Sequence, residues 1–207
     1  MNYWEETYIT EGALWKFDPS NSAIISSKFF NKKELKNILI PGIGYGRNAI
    51  PFVNRYMNIT GIEISKTAIK LAKENGFTFP IHHGSVLDMP FDKTIFDGIF
   101  NYALLHLLNK QERSQFIKSC YNQLSYNGYM IFVVVSVRAN MYGNGIKLSE
   151  NRFKIHNGLS VYFYNPESIK KEFLKFGLVE FEEIDEPIKH TNNEPPLKCY
   201  IIKCRKE

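Results

Sequence analysis

The sequence predicts an α/β fold with a Rossmann-like, mostly parallel sheet, and three stretches carry that expectation. The apolar strand from Asn37 to Pro41 runs into a turn with glycine at 42, 44 and 46, and then into a helix. A second short strand ends in Gly61-Ile62-Glu63, ~20 residues further on, which is the spacing of a nucleoside-binding β-turn-α-β unit. Tyr129 to Val135 is an unbroken apolar run of the kind buried on both faces of a parallel sheet. Backbone N–H groups at a glycine turn can approach a ligand that a side chain would hold off. A carboxylate at the tip of the next strand, here Glu63, can accept both ribose hydroxyls.

The glycine spacing separates two kinds of nucleoside. A dinucleotide fingerprint is G-x-G-x-x-G, and its third glycine would fall on Arg47; the pattern present is G-x-G-x-G. An NAD(P) oxidoreductase is disfavoured on that ground and by the lack of a separate substrate half. The remaining elements follow in order. Asp18-Pro19-Ser20 reads as a helix start, and Ser65 as the N-cap of a helix with Ala68, Ile69, Leu71 and Ala72 at helical spacing. Pro80 to Phe91 contains a third strand, and Ile95 to His106 a fourth with its loop. A helix through Phe116, Ile117, Cys120, Tyr121 and Leu124 is expected to stop at Ser125-Tyr126-Asn127-Gly128, before the strand at Tyr129. A helix from Pro166 to Phe176 and strands near Val179 to Ile184 and Leu197 to Cys204 finish the chain, the last after the loop 191–196.

In this order the stretches over 37–136 resemble the motifs of class I S-adenosylmethionine (SAM)-dependent methyltransferases. The resemblance implies a mostly parallel seven-stranded sheet with an antiparallel last strand and helices on both faces. It also implies SAM as cofactor, held by Gly42, Gly44, Gly46, Asn48, Glu63, Ile64, Asn101 and Tyr102, with Ser85, Val86 and Asp88 along the adenine edge. Pro41 stands where most members carry an acidic residue. That departure assigns the amino group of the methionine moiety to backbone carbonyls near Gly42 and Asn101. Pro41 with Gly61-Ile62-Glu63-Ile64-Ser65, and Gly12 to Ser20, look like the thiopurine and thiol/halide branch, whose N-terminal tryptophan, here Trp15, covers the cofactor. Gly46-Arg47-Asn48 and Gly158 to Tyr164 are similar to the tellurite-resistance-type members.

The chain reads as one domain: 1–30 a lid, 37–136 the cofactor core, 137–165 an acceptor-pocket insertion, and 166–207 a C-terminal helix and strand pair. At 44% hydrophobic and 23% charged, the composition is that of a globular protein. It contains no apolar run of about 18 residues and no basic stretch leading an apolar one, so a cytoplasmic protein without a membrane partner is expected. The net charge of +5 comes from scattered lysines with acids among them, which argues for a solvated surface rather than nucleic-acid binding. Cys120, Cys199 and Cys204 lack metal-ligand spacing and read as reduced core residues, the last two on opposite faces of one strand. His82 and His83, adjacent on a strand, cannot form a metal pair, so no metal is expected. Asp97 reads as structural.

Methyl transfer from a sulfonium needs little acid–base machinery. His106 and His156 are the candidates to deprotonate an acceptor, weighed against a packing role. Tyr8, Tyr142, Tyr162 and Tyr164 are expected to wall an apolar pocket for a small molecule such as a thiol, halide, metalloid, phenol or amine. The alternatives are an RNA or protein methyltransferase and a non-catalytic SAM-binding regulator. A monomer or homodimer is expected.

Overall fold

The computed structural model describes residues 3–14, 16–91, 94–156, 158–186 and 196–207. Helices α1 (Tyr3–Glu11) and α2 (Asn21–Lys32) precede the strand β1 (Asn37–Pro41). After the glycine turn come α3 (Ile50–Val53), β2 (Asn58–Glu63), α4 (Lys66–Glu74), β3 (Ile81–His83), β4 (Phe96–Tyr102), α5 (Lys110–Gln123) and β5 (Leu124–Val135). The insertion holds β6 (Ile146–Ser149), β7 (Arg152–Lys154) and β8 (Ser160–Tyr162). The chain closes with α6 (Pro166–Phe173), β9 (Leu178–Glu186) and β10 (Leu197–Arg205).

The main sheet has seven strands in the order β3-β2-β1-β4-β5-β10-β9. Strands β1 to β5 pair in parallel, whereas β10 runs antiparallel to both β5 and β9. The expected class I methyltransferase sheet with its reversed last strand is therefore present. Its two faces carry separate cores. Ile38, Ile40, Phe100, Ile131, Val133 and Ile201 face α2 and α3 through Ala23, Phe30 and Phe52. Leu39, Ile99, Met130, Phe132 and Ile202 face α5 and α6 through Phe116, Ile117, Ile169 and Phe173. Cys199 and Cys204 fall in different cores, as their spacing implied, and all three cysteines are buried and unpaired. Burial pushes the Cys199 thiol up to about 12, which keeps it protonated and unreactive.

Local chemistry explains the element boundaries. Ser20 and Ser65 cap α2 and α4 by accepting the N–H of Ala23 and Ala68. Asp97 is structural: its carboxylate accepts the N–H of Lys36 and Asn37 and pins the start of β1.

One expectation needs correction. Ser125 to Gly128 do not end a helix; α5 stops at Gln123 and β5 begins at once, with these four residues looped out as its register against β4 jumps. Asn127 takes the left-handed conformation at φ 63°, and a Cβ on Gly128 would meet Asp97 O at 2.8 Å, so this loop needs the Asn-Gly pair for a different reason. The insertion carries a sheet of its own. Its three short strands form a second antiparallel sheet, β6-β7-β8, packed on Val135 and Ala139 through Phe153, Val161 and Phe163.

Candidate active site

The site lies where β1, β2 and β4 end. The backbone turns sharply after Pro41, and the N–H groups of Gly42 and Ile43 both point at Ile62 O, at 2.9 and 3.3 Å. This folds the turn against the tip of β2, where Glu63 is buried at 6% exposure. Glu63 Oε2 accepts the N–H of Gly44 at 2.8 Å. Its Oε1 accepts those of Ile64 and Ser65 at 2.8 and 2.9 Å. Burial pushes the carboxyl up from its usual range while the three N–H groups oppose that shift. A carboxylate offers about four lone-pair positions; with three taken, the open one is on Oε2.

At the tip of β4, Asn101 is fully buried and its Nδ2 donates to Pro41 O at 3.1 Å. Among the described residues its Oδ1 has no hydrogen-bond partner. A buried acceptor without a donor is costly, so this oxygen is poised for a ligand donor. It lies beside the strand end whose usual acid is replaced by Pro41. The expectation named backbone carbonyls near Gly42 and Asn101 for the methionine amino group; here Pro41 O already accepts from Asn101 Nδ2, and the unpartnered acceptor beside it is Asn101 Oδ1.

Tyr102 packs on the opposite face of the sheet, with the Arg47 guanidinium 5.4 Å from its ring centre. Arg47 also donates to Asp18 O at 2.9 Å, and Asn48 Oδ1 accepts the N–H of Ser20 at 2.9 Å. Asn48 thus joins the glycine turn to the start of α2. Gly46 starts the short 3-10 turn Arg47–Ala49. In the turn after β3, Val86 is buried, Ser85 is half-buried with its Oγ accepting from Leu87 N–H, and Asp88 is exposed. Gly84 N–H donates to Glu63 O at 2.9 Å, which keeps this turn next to β2. Ile64 is exposed beyond Glu63.

The four tyrosines do not share one wall. Tyr8 of α1 comes over the glycine turn: a Cβ on Gly44 would lie 3.0 Å from its hydroxyl. Burial, and then the Glu63 charge, push that hydroxyl above the usual phenol range, so it stays a donor. Tyr142 packs on Phe153 and Phe163 in the insertion. Tyr162 lies under the Arg113 guanidinium, 3.9 Å from its ring centre, and the fully buried Tyr164 donates to Glu172 at 2.8 Å. As a pocket wall Tyr164 is therefore corrected. Alternation along the chain after β8 turns it into the α5/α6 core. Trp15 lies outside the described residues.

His106 is buried in the short turn Leu105–Leu107, where its Nδ1 accepts the N–H of Val135 at 3.3 Å. Burial lowers it to about 4, so it is neutral throughout the physiological range. His156 is exposed after β7. Sequence reasoning missed Glu186, which is fully buried and accepts the N–H groups of Asn21 and Ser22, both at 2.9 Å, at the start of α2. No local signal could have found it, because the partners are 165 and 164 residues apart.

Residues 39–132, from within β1 to within β5, match the family model described as a methyltransferase domain. The chain carries a SAM-dependent methyltransferase domain. The methyltransferase is 22% identical over 156 residues to thiocyanate methyltransferase 1 of Arabidopsis thaliana, covering 73% of this chain and 69% of that protein. Its fold resembles that of Burkholderia thailandensis 1,6-didemethyltoxoflavin-N1-methyltransferase, solved with 1,6-didemethyltoxoflavin and S-adenosylhomocysteine bound. There the TM-score is 0.73 at 14% identity, over 97% of this chain and 84% of that one. TehB from Haemophilus influenzae aligns at TM-score 0.67 and 13% identity, over 99% and 67% of the two chains. Among the described residues, no helix of the methyltransferase is long and apolar enough to cross a membrane, and no cluster of His, Cys, Asp and Glu could hold a metal ion.

Proposed function

We propose that the methyltransferase transfers a methyl group to a small-molecule acceptor, such as a thiol, halide, metalloid, phenol or amine, by direct displacement. The observation that carries this reading is the roof. Helix α1 of the chain itself lies over the glycine turn, with Tyr8 at 7% exposure. A site closed by its own N-terminal helix favours a small acceptor over a folded RNA or protein. The names of the two similar proteins, one for thiocyanate and one for 1,6-didemethyltoxoflavin, point the same way.

The acceptor groups fit SAM. Glu63 Oε2 has a lone pair for a ribose hydroxyl, and both hydroxyls are reached if Oε1 releases one of its two N–H groups. Asn101 Oδ1 accepts from the methionine ammonium, and residues 85–88 edge the adenine. When bound, SAM supplies a methyl already activated by its sulfonium. The chain then has to align the acceptor and exclude water, and the roof does the second. Glu63→Ala should weaken SAM binding by about 1.5–3 kcal/mol, roughly ten- to a hundredfold, read by calorimetry; unchanged affinity would remove Glu63 from the site. The experiment that tests the function is calorimetry with S-adenosylhomocysteine against NAD, followed by labelled SAM with a panel of thiols, halides, phenols and amines. Binding of NAD alone, or no transfer to any small acceptor, refutes the proposal.

His106 is neutral, buried and already accepting from Val135, so it has no role as a titrating base near neutrality. A histidine whose folded value is lowered to about 4 loses its proton well below pH 6. The pH dependence of turnover should therefore follow the acceptor's own ionisation and shift when a thiol is replaced by a more acidic one. A limb that stays in place across two such acceptors would instead point to a base on the protein, with His156 the remaining histidine candidate.

A further inference from the structure

Ser65 touches both the roof and the cofactor carboxylate. Its N–H donates to Glu63 Oε1 at 2.9 Å, and its hydroxyl donates to Glu5 Oε2 at 2.5 Å. The same hydroxyl oxygen accepts the N–H of Ala68 at 3.0 Å as the cap of α4, so its position is fixed. Glu5 is held further by Thr67, whose hydroxyl donates to Oε1 at 2.8 Å and whose N–H donates to Oε2 at 3.2 Å. These bonds pull the Glu5 carboxyl below its usual range.

Glu5 and Tyr8 stand three residues apart in α1 and so share a face of the helix. Besides Glu5, the helix is held through the small cluster beneath it, on which Trp4 and Leu71 also pack. A nine-residue helix is not stable alone, Tyr8 is its buried residue, and the small cluster beneath it has Tyr8, Tyr45 and Ala68 as its buried members. The latch at Glu5 and this cluster together set where Tyr8 sits above Gly44.

We propose that Glu5 and Ser65 are positioning residues that couple closure of α1 to occupation of Glu63. This rests on the reading of Glu63 as the ribose carboxylate. Ser65 connects the two carboxylates through adjacent groups of one residue, so the loop geometry that holds Glu63 also presents the hydroxyl to Glu5. Coupling is reciprocal: if the latch favours cofactor binding by a given factor, the bound cofactor favours the closed helix by the same factor.

The test uses the full chain and S-adenosylhomocysteine. In the wild-type protein the ligand should increase hydrogen-exchange protection of the α1 amides. Glu5→Ala leaves the α4 cap intact and should weaken binding about tenfold, abolish the added protection, and raise KM for SAM while kcat at saturation changes little. Ser65→Ala should do the same, and Ser65→Thr, which keeps the hydroxyl, should restore both readouts. Wild-type affinity in Glu5→Ala together with undiminished α1 protection overturns the coupling while leaving the cofactor site standing. A wild-type protein that does not bind S-adenosylhomocysteine overturns the site and the coupling together.

Discussion

Gly44→Val should abolish SAM binding while the sheet stays folded. Gly44 sits at φ +58°, where a β-branched residue is an outlier, and its missing side chain is what lets Tyr8 approach. Valine adds backbone strain of about 1–3 kcal/mol and puts methyl groups against the Tyr8 hydroxyl, on the surface where the cofactor would lie. It also moves the N–H that Glu63 Oε2 accepts. Gly76→Ala is the control: φ is +83° and no atom stands within 4 Å of a new Cβ, so it carries strain without obstruction. Calorimetry with S-adenosylhomocysteine and far-UV circular dichroism separate the outcomes. Loss of binding in the valine variant alone supports the site, and normal binding there makes the turn a mere connection.

Glu172→Ala should cost about 3–5 kcal/mol of stability without touching the proposed cofactor groups. Arg113 of α5 is 4% exposed and bonds Glu172 of α6 through Nε and Nη2, the shorter contact being 2.8 Å. Tyr164 donates to the same carboxylate, and Arg113 Nη1 reaches Leu108 O at 3.3 Å. Removing the carboxylate strands a buried guanidinium and a buried phenol, and that uncompensated charge is the main cost. For a domain of this size the midpoint of thermal unfolding should fall by roughly 6–20 °C. Arg113→Met, which removes the cation and fills the space, should be milder than Glu172→Ala. Equal effects would mean that packing, not stranded charge, sets the cost.

The parts legible in the sequence were local ones. The run from Asn37 to Glu63 named a strand, a turn and a second strand because glycine spacing and apolar runs act within a few residues. Ser20 and Ser65 announced helix starts by the same short-range chemistry, and Asp97 was recognised as structural. The stretch from Ser125 to Gly128 misled because Asn-Gly serves equally to end a helix and to loop out residues within a strand; which of the two occurs depends on the register β5 takes against β4. Tyr164 misled because an aromatic-rich segment does not say which core it fills.

The sequence alone determined the α/β class, the order of the core strands and helices from β1 onward, and the carboxylate at the tip of β2, all through patterns of a few residues. Only the tertiary structure decided which distant groups meet. Glu5 reaches Ser65 across 60 positions, Arg113 reaches Glu172 across 59, and Glu186 caps α2 from 165 away. Each of these contacts is a polar group whose burial requires a partner, and that partner exists only once the helices have packed on the sheet.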